Sequence, residues 1–463
     1  MRDLRLRRYG AAIGVGACVA SIAAISGSSG ATVLRGSTNR PFAGQTLTVL
    51  TGAPGGAGGR AQNEWNQELA VLFHKETGAT VRYTYYATEQ AELTDLETAV
   101  VSGSGPEVMQ YGSSNIATFA ATGKFVKLTR ADWSLLGGRN SFLPQALLDS
   151  GYGPNADYGI PINANPTVMA YNTRYFKGAG IKAPPNTWTE WVQDARKIQK
   201  KFRGVYGVGF DPADPFDPWK MVWSYTKQLG GDFAKPNGMT ITLNTAAVKN
   251  ALEFYFEQDT KFHIVPPTSL TWNNADMISA FTSQKVAMIP IAGYGTKIEA
   301  QGTPLQGHIA FAPLPSVPYG LKTRPAGGVA AGSIIAGNYW IIPTYDTTTE
   351  RTLALEFERI SVSPSIQLTQ FKLLGYLPPT HAGVSAIERR YPSIKPFVAG
   401  EASATNTVIS PAWSDIESGV LVTIGKIADY VALHHNHLSI GTVNAAAAQE
   451  QAAVQAEANA YRK

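Results

Sequence analysis

The sequence predicts an α/β fold in two lobes, and three observations carry that expectation. At 463 residues the chain is longer than one ordinary hydrophobic core organises, so at least two globular units are expected. Its composition, 44% hydrophobic and 16% charged, is that of a folded chain with a sparingly charged surface. From Leu47 to Tyr111 strand-like and helix-like segments alternate as βαβαβ. That alternation implies a parallel sheet, whose ligands bind beyond the carboxyl ends of the strands. The formal charge of +5 gathers at the N-terminus, where residues 1–31 hold four arginines against one aspartate. The near-neutral remainder lacks the basic stripe a nucleic-acid partner requires.

The N-terminus reads as an export signal. Arg2, Arg5, Arg7 and Arg8 precede an apolar run of small residues, Tyr9 to Ile25, followed by Ser-Gly-Ser-Ser-Gly-Ala, and cleavage is expected after Ala31. Arg7–Arg8 before Tyr9–Gly10 also fits a twin-arginine signal; the ordinary secretory reading is preferred. Val-Gly-Ala-Cys18 looks like a lipobox, which would anchor the mature chain to a membrane through lipidated Cys18; the apolar run continuing to Ile25 argues against it. Cys18 is the sole cysteine, so cleavage at Ala31 leaves no disulfide framework and no thiol chemistry. No other segment approaches the roughly 18 apolar residues of a membrane span.

After a spacer over 32–45, Leu47–Leu50 reads as a strand ending in the glycine-rich TGAPGGAGGRA. Gly56, Gly58 and Ala61 fit a dinucleotide fingerprint loosely, but the second strand, Thr80–Tyr86, ends in tyrosines rather than the required acid. A loop that lets backbone amides approach a ligand at a helix start is the better reading. The helix Ala61–Glu76 stops at Gly78, a C-terminal cap signal, and Glu92–Val101 forms the second helix. Glu107–Tyr111 is a buried strand, with Gly112–Asn115 as the turn at its carboxyl end.

The segment Tyr158–Lys200 then combines a narrow extended piece carrying Asn163 and Asn165, a β-rich run Thr167–Asn172, Pro184–Pro185, and a helix opened by a capping box at Thr187 and Glu190. Trp188, Trp191, Val192, Ala195 and Ile198 recur at helical spacing, so one face of that helix is buried. The order of polar amides, "YN", "F..AG" and "PP.TW.E" closely resembles extracellular solute-binding proteins of sugar-type ABC importers, the family that includes maltose-binding protein. SGSGPEVMQYGSSNIATFAATGKFVKL and NNADMISAFTSQKVAMIPIAGYG match further blocks of that family, and the blocks run in order from Leu47 to about Ile427.

The resemblance implies a two-lobed periplasmic-binding-protein type II fold with three interlobe crossings and C-terminal helices. The expected organisation is a signal peptide over 1–31, a spacer over 32–45, a first lobe over 46–162 and a second over 163–334. The chain would return to the first lobe over 335–378 and close with second-lobe helices over 379–463. FDPADPFDPW places Asp211, Asp214 and Asp217 each before a proline, which reads as turns rather than a calcium loop. Ser333–Pro343 reads as one strand crossing back, and LLGYLPPTHAG as the third crossing. His434, His435 and His437 read as a solvated helix end rather than a zinc site.

A saccharide has apolar C–H faces and a hydroxyl rim, so it wants flat aromatics and bidentate polar side chains. Trp219, Tyr294 (where the family usually has tryptophan) and Trp413 are the candidate faces. Glu89, Asn115, Asn163, Asn165 and Asn338 are candidate rims. Ser114 joins them because, with Asn115, it falls where the family often presents ligand-binding side chains; helix N-capping accounts for these two equally well. The resemblance implies an exported monomeric carrier, periplasmic or on the cell surface. It would hand a carbohydrate to ABC permease subunits, with no cofactor, metal or nucleic acid and no catalysis. Two alternatives share features: a secreted glycosidase, for which Glu89 and Asp217 are conceivable carboxylates, and a binding protein that feeds a sensor rather than a permease.

Overall fold

The computed structural model describes residues 40–461 apart from 54–58, 88, 153–154, 331–333 and 403. The expected signal peptide with Cys18, most of the spacer and the glycine-rich turn lie outside the described residues, as does the Glu89 side chain. The end of the spacer is docked: the Phe42 amide donates to the Thr77 carbonyl at 3.0 Å, and the Thr80 amide to Gln45 at 2.9 Å.

Eleven strands are described: β1 (Thr46–Gly52), β2 (Thr80–Tyr86), β3 (Val108–Gly112), β4 (Ile160–Pro161), β5 (Asn165–Pro166), β6 (Val168–Asn172), β7 (Tyr206–Val208), β8 (Val286–Ala292), β9 (Ile309–Ala312), β10 (Ile335–Ala336) and β11 (Asn338–Ile341). The first lobe holds a sheet in the order β2-β1-β3-β11-β4. β1 lies parallel to β2, with Thr46 opposite Thr80, and parallel to β3; β11 joins antiparallel, with Trp340 opposite Gln110. A central parallel strand is covered on both faces, which is why Leu47–Thr51 is buried continuously instead of alternating. The helix Gly59–Thr77 buries Trp65, Leu69 and Phe73, four residues apart, and Phe73 meets Phe357 edge-on at 5.5 Å. Phe357 belongs to the helix Thr348–Ser361, which brings the later chain back to this lobe.

The second lobe is built on β7-β8-β6-β9, with VAMIPIA of β8 buried throughout. The capping box forms as expected: Thr187 accepts from the Glu190 amide at 3.0 Å, and Glu190 returns to the Thr187 amide at 3.2 Å. This starts the helix Trp188–Lys201, whose Trp188 and Trp191 indoles donate to Gln228 and Gln258 from inside the core. The same core takes in Trp413 to Val431 and Val443 to Ala458 from the two long C-terminal helices, Trp413–Leu433 and Ile440–Ala460.

Three short stretches connect the lobes: one between β4 and β6, one between β9 and β11, and one after the helix Pro364–Leu374. The expected single strand over Ser333–Pro343 is corrected. It breaks at Gly337 into β10, which pairs with β5 in a separate two-stranded sheet, and β11 in the first-lobe sheet. A Cβ at Gly337 would stand 2.7 Å from the Asn163 carbonyl oxygen, so the break lies where two crossings touch. The first crossing is the middle of the three. Ile162 donates to Asn338 at 2.7 Å, and Ala164 donates to Leu377 at 3.0 Å. Beside them, Val168, Tyr294, Phe371, Leu377, Ile387, Ile394 and Phe397 form a separate small core.

Candidate functional site

A cleft of about 750 Å³ opens where the carboxyl ends of β1 and β3 face the second lobe across the crossings. On the first-lobe side Thr51 and Gln110 share a short side-chain hydrogen bond, and Glu92, nearly sealed from solvent, accepts from the Gly112 amide at 3.4 Å. Opposite them, the start of the helix Pro218–Gln228 presents Asp217, Trp219 and Lys220. Asp217 and Lys220, one helical turn apart, form an ion pair. Trp219 is 2% exposed, and its indole N–H has no hydrogen-bond partner among the described residues. Glu299, last residue of a short helix after β8, borders the cleft with one carboxylate oxygen buried and without a donor. Burial pushes its pKa up to about 7. The third crossing adds Tyr376, whose hydroxyl pKa is raised first by burial and then by the nearby Asp217 and Glu299 charges.

The structure brings four of the expected site residues into the cleft lining: Ser114, Asn165, Trp219 and Asn338. Ser114 there donates to Glu417, a buried carboxylate that also accepts from the Trp413 indole at 2.7 Å. Asn165 does double duty, since its Oδ1 accepts from the Leu377 amide at 2.9 Å.

Four others do not line this cleft. Trp413 is fully buried, edge-on to Trp219 at 6.1 Å and stacked on Phe233 at 6.4 Å, so its faces are spent on the second-lobe core. Tyr294 packs on Phe371 at 4.9 Å, and its hydroxyl pairs with Ser393 at 2.8 Å. Asn115 is the buried last residue of the turn that follows β3. Asn163 is buried in the crossing, its Oδ1 accepting from Asn165 at 3.0 Å and from the Asn338 amide at 3.1 Å. Polar groups on a narrow extended segment read alike whether they face a ligand or tie strands together; only the neighbouring crossings distinguish the two.

Glu92, Gln110, Glu299, Tyr376 and Glu417 were not singled out from the sequence. Tyr376 lies in the motif expected to be the third crossing, which is the signal that points to it. Asp214 accepts from the amides of Phe216 at 2.8 Å and Asp217 at 2.9 Å, the turn expected of the Asp-Pro run. Among the described residues no group of three or more histidine, cysteine, aspartate or glutamate side chains could hold a metal, and no helix is long and apolar enough to cross a membrane.

Residues 52–357 match the family described as bacterial extracellular solute-binding protein. The chain is 26% identical to the diacetylchitobiose binding protein DasA of Streptomyces coelicolor over 249 residues, 53% of this chain and 54% of that protein. It spans about half the length, or less, of the curated relatives it matches. It superposes on maltose-bound MalE3 of T. maritima with a TM-score of 0.74 at 17% identity, covering 88% of this chain and 99% of that one. UgpB from Mycobacterium tuberculosis in complex with glycerophosphocholine gives 0.69 at 17% identity, covering 89% and 98%. These likenesses establish the two-lobed fold.

Proposed function

The chain belongs to the bacterial extracellular solute-binding protein family, and we propose that it is an exported carrier that closes its two lobes around a carbohydrate or polyol and delivers it to an ABC-type importer. The observation that carries this reading is the cleft itself. Its volume of about 750 Å³ suits a ligand of a few sugar units. Its wall combines an unpartnered indole N–H, an unpartnered carboxylate oxygen and polar side chains from both lobes. A hydroxyl-rich ligand meets donors and acceptors together, whereas an apolar one leaves them unsatisfied. The maltose of MalE3 and the diacetylchitobiose of DasA support the carbohydrate class.

Ser114, Asn165, Trp219 and Asn338 are the proposed ligand contacts. A ligand that touches both walls binds the closed form better than the open one and shifts the population toward it, and a permease recognises that form. No chemistry on the ligand is required. Asp217, one of the two carboxylates a glycosidase reading invokes, is engaged by Lys220. The carrier is proposed to act as a monomer, in the periplasm or on the cell surface; Cys18 is the residue through which an anchor would attach.

The test is a thermal-shift screen of the purified protein against mono-, di- and oligosaccharides, polyols and sugar phosphates. A ligand at about 100 times its Kd adds roughly 2.7 kcal/mol and raises the melting temperature by several degrees. Trp219→Phe, which keeps a smaller aromatic ring and loses the N–H, is expected to weaken that ligand several-fold. A screen without any shift, alongside turnover of aryl glycosides, would sink the carrier reading.

A further inference from the structure

Among the described residues that line the cleft, the charged side chains are Glu92, Asp217, Glu299 and Glu417 against Lys220 alone. Lys220 is already taken by Asp217. Glu417 accepts from Ser114 and Trp413, and Glu92 from the Gly112 amide. Glu299 differs from all of these, because its buried oxygen, Oε2, meets no donor among the described residues. It stands at the end of the helix Gly295–Glu299, beside the third crossing that carries Tyr376.

A desolvated carboxylate without a donor is unfavourable unless a positive charge or a set of donors reaches it. A neutral hydroxyl supplies one donor and no charge. An ammonium group supplies both. An anionic ligand would instead meet a wall with an excess of carboxylates and no free cation among the described lining residues.

We propose that Glu299 is a specificity-determining residue of the cleft, and that the carbohydrate it selects carries a free protonated amine, as an amino sugar does. This inference rests on the carrier reading above and narrows its ligand class. In it, Glu299 takes the ammonium, the Asp217–Lys220 pair and Tyr376 flank it, and the Trp219 N–H reaches a neighbouring hydroxyl. Burial alone raises the Glu299 pKa to about 7, and a bound ammonium would lower it again.

The experiment is isothermal titration calorimetry with matched mono- to tetrasaccharides that differ only at one ring position: free amine, N-acetylated amine and hydroxyl. The amine series is expected to bind at least tenfold tighter than its two counterparts at neutral pH. Glu299→Gln is expected to remove that preference, weakening the amine series at least tenfold more than the hydroxyl series. Wild-type selectivity is read independently of the variant, so a poorly folding variant leaves the proposal open to refutation. Tightest binding of the hydroxyl or N-acetyl series, untouched by Glu299→Gln, would overturn the amine inference and leave the carrier reading standing. Absence of binding by all three series would overturn the amine inference, while the carrier reading stands or falls on the thermal-shift screen above.

Discussion

Asn163 shows how one side chain sets the geometry of the whole cleft. Its Oδ1 accepts from the Asn165 side chain and from the Asn338 backbone, so it ties the first crossing to the second. Asn163→Ala removes both bonds and leaves the Asn338 amide without that acceptor. The expected cost is about 1–3 kcal/mol in urea-induced unfolding, together with weaker ligand binding through a looser hinge. Unchanged stability would mean that the backbone pairing of Ile162 with Asn338 suffices to hold the crossing. Trp413 illustrates the reverse hazard: with no exposed surface, Trp413→Ala is expected to cost about 3–5 kcal/mol of packing, so lost binding in that variant would report on folding and not on stacking.

At the scale of elements, two turns carry contrasting predictions. Gly375 ends the helix Pro364–Leu374 with φ of +72° and opens the third crossing. A Cβ there would stand 2.2 Å from the Gly295 backbone nitrogen, on the helix that ends in Glu299. Gly375→Ala therefore combines left-handed strain of roughly 1–2 kcal/mol with a backbone clash. It is expected to lower the melting temperature by several degrees and to weaken ligand binding, because Tyr376 and Glu299 move apart; full affinity in calorimetry would refute this. Thr187→Ala removes only the cap of a helix that borders no part of the cleft. A loss of about 1 kcal/mol with affinity unchanged is expected, and a change in affinity would place that helix in the hinge mechanism.

Across the whole molecule, buried carboxylates set a pH dependence. The pKa of Glu299 is about 7, that of Asp346 about 8, and those of Asp149 and Asp415 about 6, each raised chiefly by burial. In every case the folded pKa exceeds the unfolded one, so between the two the unfolded chain holds fewer protons. Stability therefore falls as pH rises from about 4.5 to 8. The melting temperature is expected to be higher at pH 5.5 than at pH 8, and Asp346→Asn to narrow the difference. A melting temperature that climbs with pH over this range would show that other groups dominate.

Much of this was legible in order along the chain. The capping box at Thr187, the helix stop at Gly78 and the buried strand at Glu107–Tyr111 are local patterns, and local patterns specify secondary structure because their partners lie within a few residues. The alternation of elements and the family blocks likewise specified two α/β lobes with three crossings. What tertiary structure alone decided is which face of each conspicuous residue is used. Trp219 and Trp413 are alike in the sequence, both at helix starts, and both pack in the second-lobe core, yet only Trp219 also borders the cleft. Asn163 and Asn165 sit two residues apart, and only the second reaches the cleft lining. Glu299 carries no motif at all. Its character comes from residues far away in the chain that remove its water without replacing it, and desolvation depends on how the lobes pack, which no local pattern encodes.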